Sequence, residues 1–514
     1  MILSTAPLPT TILDSQALSR TLELYLADHP RATVAEEDEV VFELPEARYS
    51  VSGEHGKCLL HLWSAERNMV RRVVSAEQKK NELALTVQRF GNAKPNILRL
   101  LPVGERSSPG TRTAERARYR QALKRILERD FPDYRADRFT SVMDLEHSMG
   151  PVYARGIMHR GQSAMAVLGV GAGESQAAVD AALTSGLLWL SSVREAMRQW
   201  TEGLMMVAPA GRSEVVRARM ALIATGAGRC TLFELNEREG TLQEVDFSDG
   251  GNIQTRLVQA PDPAGMLERF ADPIARVRRL LPEAEISTPS TAEIVFRYRG
   301  LEFARSRIVL ENTFRRTAET VFGLGAEETL LSDESADQFA AMLERVRESR
   351  QGEPQPKDPL WRMSPERWLE SLVVRDVTAL DPRLDSRFVY SQVPAFAASD
   401  RAMIDVLTCT RDGPLAVLEL KANEDFHLPL QGLDYWARVR WHNERGEFKK
   451  FGYFAGREIS AELPLLLLVA PALRIHPQTD TLLKYLSPEI DWELIAVDER
   501  WREALKVVFR KRRS

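Results

Sequence analysis

The sequence predicts a mixed α/β protein (α+β in places) built as a tandem duplication, each half holding a small β-rich domain and a larger α/β domain. Three observations lead there. The chain has 514 residues, 44% hydrophobic and 28% charged, which is core material for several domains of ordinary size. Short apolar runs bounded by turn residues alternate with helix-spaced segments, the pattern of strands joined by helices. Stretches of the first half also recur in the second. "AVLGVGAGE" (166–174) answers "AVLELKANE" (416–424), and "VAPA" stands at both 207–210 and 469–472. "LERDFPDYRADRF" (127–139) echoes "VVRDVTALDPRLDSRF" (373–388), and "EVVFELPEARYS" (39–50) parallels "EIVFRYRGLEFA" (293–304).

The expected boundaries are a β-rich domain at 1–105, an α/β domain at 115–285, a second small β-rich domain with a helix at 286–350, and an α/β domain at 360–514. Stretches 101–118 and 346–363, rich in turn residues and arginine, read as the linkers into the two α/β domains.

Composition excludes several classes. A net charge of −4 argues against indiscriminate polyanion binding, so nucleic-acid contact would have to come from local basic patches. Cys58, Cys230 and Cys409 form no CxxC and the histidines no HxxxH, which excludes a disulfide framework and a zinc site and fits a reducing cytoplasm. The N-terminus lacks the basic and apolar regions of a signal peptide. The longest apolar segment, Leu463 to Leu473, is too short to span a bilayer. A cytoplasmic chain without a membrane partner is expected.

The chemistry concentrates in "RAMIDVLTCTRDGPLAVLELKA" (401–422). Two apolar runs flank Arg411-Asp412-Gly413, which reads as a three-residue hairpin loop with Gly413 at its left-handed position. Stepping outward from Thr410 opposite Pro414, that loop sets Asp405 opposite Glu419, with Lys421 on the same face as Glu419. A two-residue loop would instead oppose Asp405 to Leu420. Two close carboxylates repel, and a hard divalent cation, magnesium or manganese, resolves the conflict. Lys421 beside them would position a water or balance charge on a phosphate. An isolated ExK is usually a solvated pair; here Leu415, Val417, Leu418 and Leu420 make both strand faces apolar, where an unpaired charge is costly.

Downstream, Pro429 is placed to start a helix carrying Gln431 and Tyr435 on one face. Upstream, Ser364 is the N-cap of a helix with Pro365 first, Glu366 or Arg367 in its first turn, and Glu370 among Trp368, Leu369 and Leu372. A strand (463–470), a helix (near 477–486) and a strand (492–497) follow.

With these elements, residues 360 to 500 resemble the PD-(D/E)xK nuclease superfamily, specifically its RecB-like members, whose fold is the restriction-endonuclease-like αβββαβ domain. The matching positions are Asp405, Glu419-Leu420-Lys421 and Gln431-x3-Tyr435, with Glu370 as the helical carboxylate and Ile404-Asp405 in place of Pro-Asp. The resemblance implies phosphodiester hydrolysis with Mg²⁺ (or Mn²⁺). Asp405 and Glu419 would be ligands, the Leu420 carbonyl a further one, and Lys421 would stand at the nucleophile. Gln431 and Tyr435 would contact the DNA backbone or the catalytic residues.

In the first half Gly169 stands in Glu419's place and Gly171 in Lys421's, while Lys124 falls near Glu370's place and Arg155 near Asp405's. A site without carboxylates cannot hold Mg²⁺, so this copy is expected to be inactive. A phosphate-cradling reading of Gly169, Gly171 and Gly173 fails at Glu174, where the pattern needs glycine. In the first β-rich domain Trp63, Arg67, Asn68, Arg71 and Arg72 read either as a DNA-contacting set or as core plus a solvated face. The tail "FRKRRS" reads either as a phosphate contact or as a disordered terminus.

The expectation is a metal-dependent DNA endonuclease in repair or defence, with RNA as an alternative target. The plan resembles that of mismatch-specific endonucleases, which pair two identical chains; a single site would nick, and a homodimer would restore two. The rival is a non-catalytic DNA-binding or assembly scaffold with vestigial nuclease folds.

Overall fold

A computed structural model describes residues 15–513 except 30–31, 37–38, 45–47, 53–57, 64–67, 80–81, 90–91, 102–108, 145–148, 198–199, 249–254, 291, 313–314, 325–327, 354, 356 and 398–402. It is mixed α/β, with four main sheets. The chain divides into two units. One comprises Met1–Thr113, Pro263–Arg297 and Glu302–Arg345; the other comprises Ala114–Asp262, Tyr298–Leu301 and Val346–Ser514. Among the described residues no helix is long and apolar enough to cross a membrane.

The first unit holds a 7-stranded and a 5-stranded antiparallel sheet. Alternating strands give the first sheet one apolar face, on which the helix Ser15–Asp28 lays Leu18, Leu22, Tyr25 and Leu26. The similar stretches at 39–50 and 293–304 do not sit alike. Glu39–Glu43 and Arg48–Ser52 lie at opposite edges of their sheet, whereas Glu293–Tyr298 and Leu301–Asn312 are neighbours. Arg67 lies outside the described residues, and Arg71 is not free: its guanidinium forks onto Glu36 at 2.9 and 2.8 Å.

In the second unit two sheets follow one plan. After the helix Pro109–Asp130, strands Arg135–Thr140, Tyr153–Arg160 and Ser163–Val170 form an antiparallel meander. The helix Ala182–Ala196 then crosses to Trp200–Pro209, which pairs parallel to Ser163–Val170. Arg229–Asn236 adds a parallel strand and Thr241–Glu244 an antiparallel edge. The second sheet repeats this order. The helix Pro365–Arg375 precedes Tyr390–Ala397, Met403–Cys409 and Leu415–Leu420; the helix Leu428–Glu444 then leads to Leu465–Pro471, parallel to Leu415–Leu420. Trp492–Val497 is parallel again and Val507–Arg512 antiparallel. The strand Thr255–Leu257 adds an edge beside Tyr390–Ala397.

The two α/β domains share one apolar core, in which Leu187 and Leu190 of the first stand with Leu433, Leu482 and Leu486 of the second. Their backbones also join in a reciprocal bridge: Ala224 N–H donates to Tyr485 O at 2.7 Å and Ser487 N–H to Leu222 O at 2.8 Å.

Two expectations change. Residues 109–118 are helix rather than linker, and the C-terminal basic run is an ordered strand. Its Arg510 and Arg512 pair with buried Glu493 at 3.3 and 3.1 Å, and a charge buried on the sheet face needs such partners.

The hairpin register follows the three-residue loop. Thr410 N–H donates to Pro414 O at 2.8 Å, and Val406 opposes Leu418, which sets Asp405 against Glu419. Gly413 takes φ +121°, in the region that favours glycine. Gly413→Ala is therefore expected to lower unfolding stability by about 1–3 kcal/mol, read by urea denaturation.

Candidate active site

Glu419 lies at the floor of the site, 2% exposed, on a strand whose every residue is buried. Its Oε1 is 3.1 Å from Lys421 Nζ, and Asp425 Oδ2 lies 3.9 Å from the same ammonium. Asp405 arrives from the neighbouring strand, where its Oδ2 accepts from Leu420 N–H at 3.0 Å. The helix Leu428–Glu444 covers this face, and Gly432 permits the approach. A Cβ there would meet Leu468 Cδ2 at 2.6 Å and Glu419 Cβ at 3.6 Å.

The helix Pro365–Arg375 supplies two carboxylates one turn apart, Glu366 and Glu370, which share a face. Ser364 stands at its N-cap in a left-handed conformation (φ +45°), so its side chain does not cap the helix. Glu370 is buried and accepts from Arg367 Nη1 at 3.0 Å and Gln392 Nε2 at 2.9 Å. The same Gln392 amide reaches Asp405 Oδ1 at 3.3 Å, so Glu370 connects to the hairpin through Gln392. Glu366 is the helical carboxylate whose charge acts on Glu419 and Lys421. The sequence reading places Glu366 only as a first-turn residue and does not include Gln392. The four-residue spacing from Glu370 was the signal for Glu366. Nothing local marks Gln392, a non-glycine at φ +51° that long-range pairing sets beside Asp405.

Burial, then the nearby Asp405 charge, holds the Glu419 carboxyl well above the usual range, and burial raises Asp405. Glu366 is accessible to solvent yet enclosed by protein on its other sides. That enclosure raises its carboxyl, with Asp405 and Asp425 adding to it and Lys421 opposing. For Lys421 burial works downward, but Glu419, Glu366, Asp425 and Asp405 outweigh it and keep the ammonium charged. Burial and then Glu419 and Asp405 keep the Tyr435 phenol protonated, a hydrogen-bond donor.

Two buried acceptors, Glu419 Oε2 and Gln431 Oε1, have no hydrogen-bond partner among the described residues. Such orphaned oxygens, with two opposed carboxylates, suit an electropositive ligand. Among the described residues no three of His, Cys, Asp and Glu converge as a metal-holding group. Two carboxylates completed by carbonyl and water oxygens is the manner in which Mg²⁺ is commonly held.

In the first α/β domain Gly169 does not stand in Glu419's place: it faces the preceding helix, whereas Glu419 faces the crossover helix. Leu168, paired with Met206 as Glu419 is with Leu468, takes that place, and Arg155 opposes it as Asp405 opposes Glu419. Arg155 is buried and donates to Val142 O. Tyr119 and Leu123, on the preceding helix, fill the space a side chain at Gly169 would take: a Cβ would meet Tyr119 Oη and Leu123 Cδ2 at 2.6 Å each. Lys124 is half exposed, 3.9 Å from Glu128. Glu174 is held by Arg116 at 2.6 Å, and Glu237 accepts the Ala172 N–H, so carboxylates stand where a phosphate cradle would need donors.

The sequence matches no protein-family model and no curated protein.

A carboxyl whose folded pKa lies above its unfolded value binds more protons when folded, so stability falls as pH rises through that interval. In metal-free buffer this site therefore weakens the fold from about pH 4 upward. Asp405→Asn should raise metal-free stability at pH 8 by roughly 1 kcal/mol, and Mg²⁺ should raise the Tm of the parent chain more at pH 8 than at pH 5. Calorimetry checks both. Separately, Gly432→Ala should cost about 1–3 kcal/mol by overpacking.

Proposed function

We propose that residues 360–514 form a metal-dependent DNA endonuclease of the PD-(D/E)xK type, acting in repair or defence, and that the preceding α/β domain is a duplicated copy without a site. One observation carries the reading. Asp405 and Glu419 oppose each other on neighbouring strands, one Glu419 oxygen is buried without a hydrogen-bond partner among the described residues, and Lys421 stands beside the pair. The shared strand order and crossovers of the two sheets, with Gly186 set against Met206 and Leu204 as Gly432 is against Leu468 and Leu466, support the duplication.

Asp405, Glu419 and the Leu420 carbonyl would hold Mg²⁺ or Mn²⁺, which supplies Lewis-acid charge at the phosphate and acidifies a bound water. Lys421 stays an ammonium among four carboxylates, so its role is to orient the attacking water and offset charge growing on the phosphate rather than to remove a proton. Tyr435 and Gln431 present donors from the covering helix to phosphate oxygens. A lone site cuts one strand per encounter; a homodimer would bring two. The alternative is a non-catalytic DNA-binding scaffold.

Supercoiled plasmid with Mg²⁺ separates the two. The expected result is nicked circles, abolished by EDTA and reduced at least about 100-fold in Asp405→Ala, Glu419→Ala and Lys421→Ala. DNA binding with no metal-dependent cutting of DNA or RNA would leave the scaffold.

A further inference from the structure

We infer that the site-less first α/β domain positions the catalytic helix of the second, with Arg219 as the positioning residue. The inference rests on the nuclease reading for its consequence and on the packing for its mechanism. Arg219, near the end of the helix Glu214–Met220, is 7% exposed. Its Nε and Nη2 donate to Asp434 Oδ1 and Oδ2 at 2.9 and 2.7 Å, a two-pronged pair, while Nη1 donates to Asp180 O. Asp434 lies on the helix Leu428–Glu444, immediately before Tyr435 and three residues after Gln431. A second tie holds the N-terminus of the same helix. His427, its N-cap residue, meets buried Thr184 Oγ1 of the first domain through Nδ1 at 3.2 Å.

These ties are well placed to fix the helix along and around its axis. Two points almost two turns apart are gripped from one side. From the other side Gly432 presses against Leu468 and Glu419. The apolar core between the domains is not directional and would tolerate sliding or rotation of the helix by a fraction of a turn. A planar guanidinium on a carboxylate would not. Gln431 and Tyr435 project from the gripped turns, so loss of the grip moves their donors relative to Asp405 and Glu419. A misplacement of about 1 Å is enough to cost about 100-fold in rate.

Arg219→Met alone leaves the partly buried Asp434 unpaired, which can simply destabilise the chain. The informative variant is Arg219→Met with Asp434→Leu, since an apolar pair of similar volume can replace a buried ion pair without loss of stability. In the full chain this double variant is expected to keep its Tm, to lose about 10–100-fold in kcat for plasmid nicking with KM for DNA unchanged, and to show faster amide exchange over 428–444 but not over 163–170. Equal kcat in parent and double variant overturns the positioning role, as does unchanged exchange over 428–444. If the parent chain itself cuts no DNA, the nuclease reading fails, and faster exchange over 428–444 still supports the grip on the helix.

Discussion

The opposition of Asp405 and Glu419 across a hairpin is the constraint on which the candidate site depends. Strand side chains alternate, so one register places both carboxylates and Lys421 on a single face, and a slip of one residue would scatter them to both. Burial then makes the arrangement electrostatically expensive. Glu419 is almost wholly enclosed and one of its oxygens has no donor among the described residues. A chain keeps such a conflict where it serves chemistry or binding, since structural cores avoid unpaired charge.

The surroundings manage that conflict in a graded way. Leu420 N–H and the Gln392 amide steady Asp405, Arg367 and Gln392 steady Glu370, and Lys421 is shared among Glu419, Glu366, Asp425 and Asp405. The same geometry explains the contrast with the first α/β domain. There Leu168 and Arg155 oppose each other on the face under the crossover helix, where Glu419 and Asp405 do in the second domain. Where one sheet carries two carboxylates, the other carries a leucine and a guanidinium.

Much of this was legible in the sequence because the signals are local. Arg411-Asp412-Gly413 carries its own loop geometry, and the loop length dictates the pairing of every residue beyond it. Pro429 and the i, i+4 spacing of Gln431 and Tyr435 marked the covering helix for the same reason. What escaped notice came from distant chain. Gln392 reaches Asp405 from another strand, Arg219 grips Asp434 from 215 residues away, and two arginines of the C-terminal run share a buried glutamate. The mismatch at Gly169 has a similar origin. Strand pairing puts Leu168 in Glu419's place, which leaves Arg155 in Asp405's and turns Gly169 to the opposite face, a one-residue difference invisible without the paired strands.

By itself, then, the sequence determined the hairpin, the identity and spacing of the charged set, and the missing carboxylates in the first domain, since each is written in consecutive residues and the pleat of a strand. Only the tertiary structure decided how deeply Glu419 is buried, that Glu366 joins the recess, and that the two α/β domains share a core and a grip on one helix. Those properties arise from enclosure and from contacts between remote segments. Neither has a local sequence signature, because any apolar or charged residue at the right point in space would satisfy it.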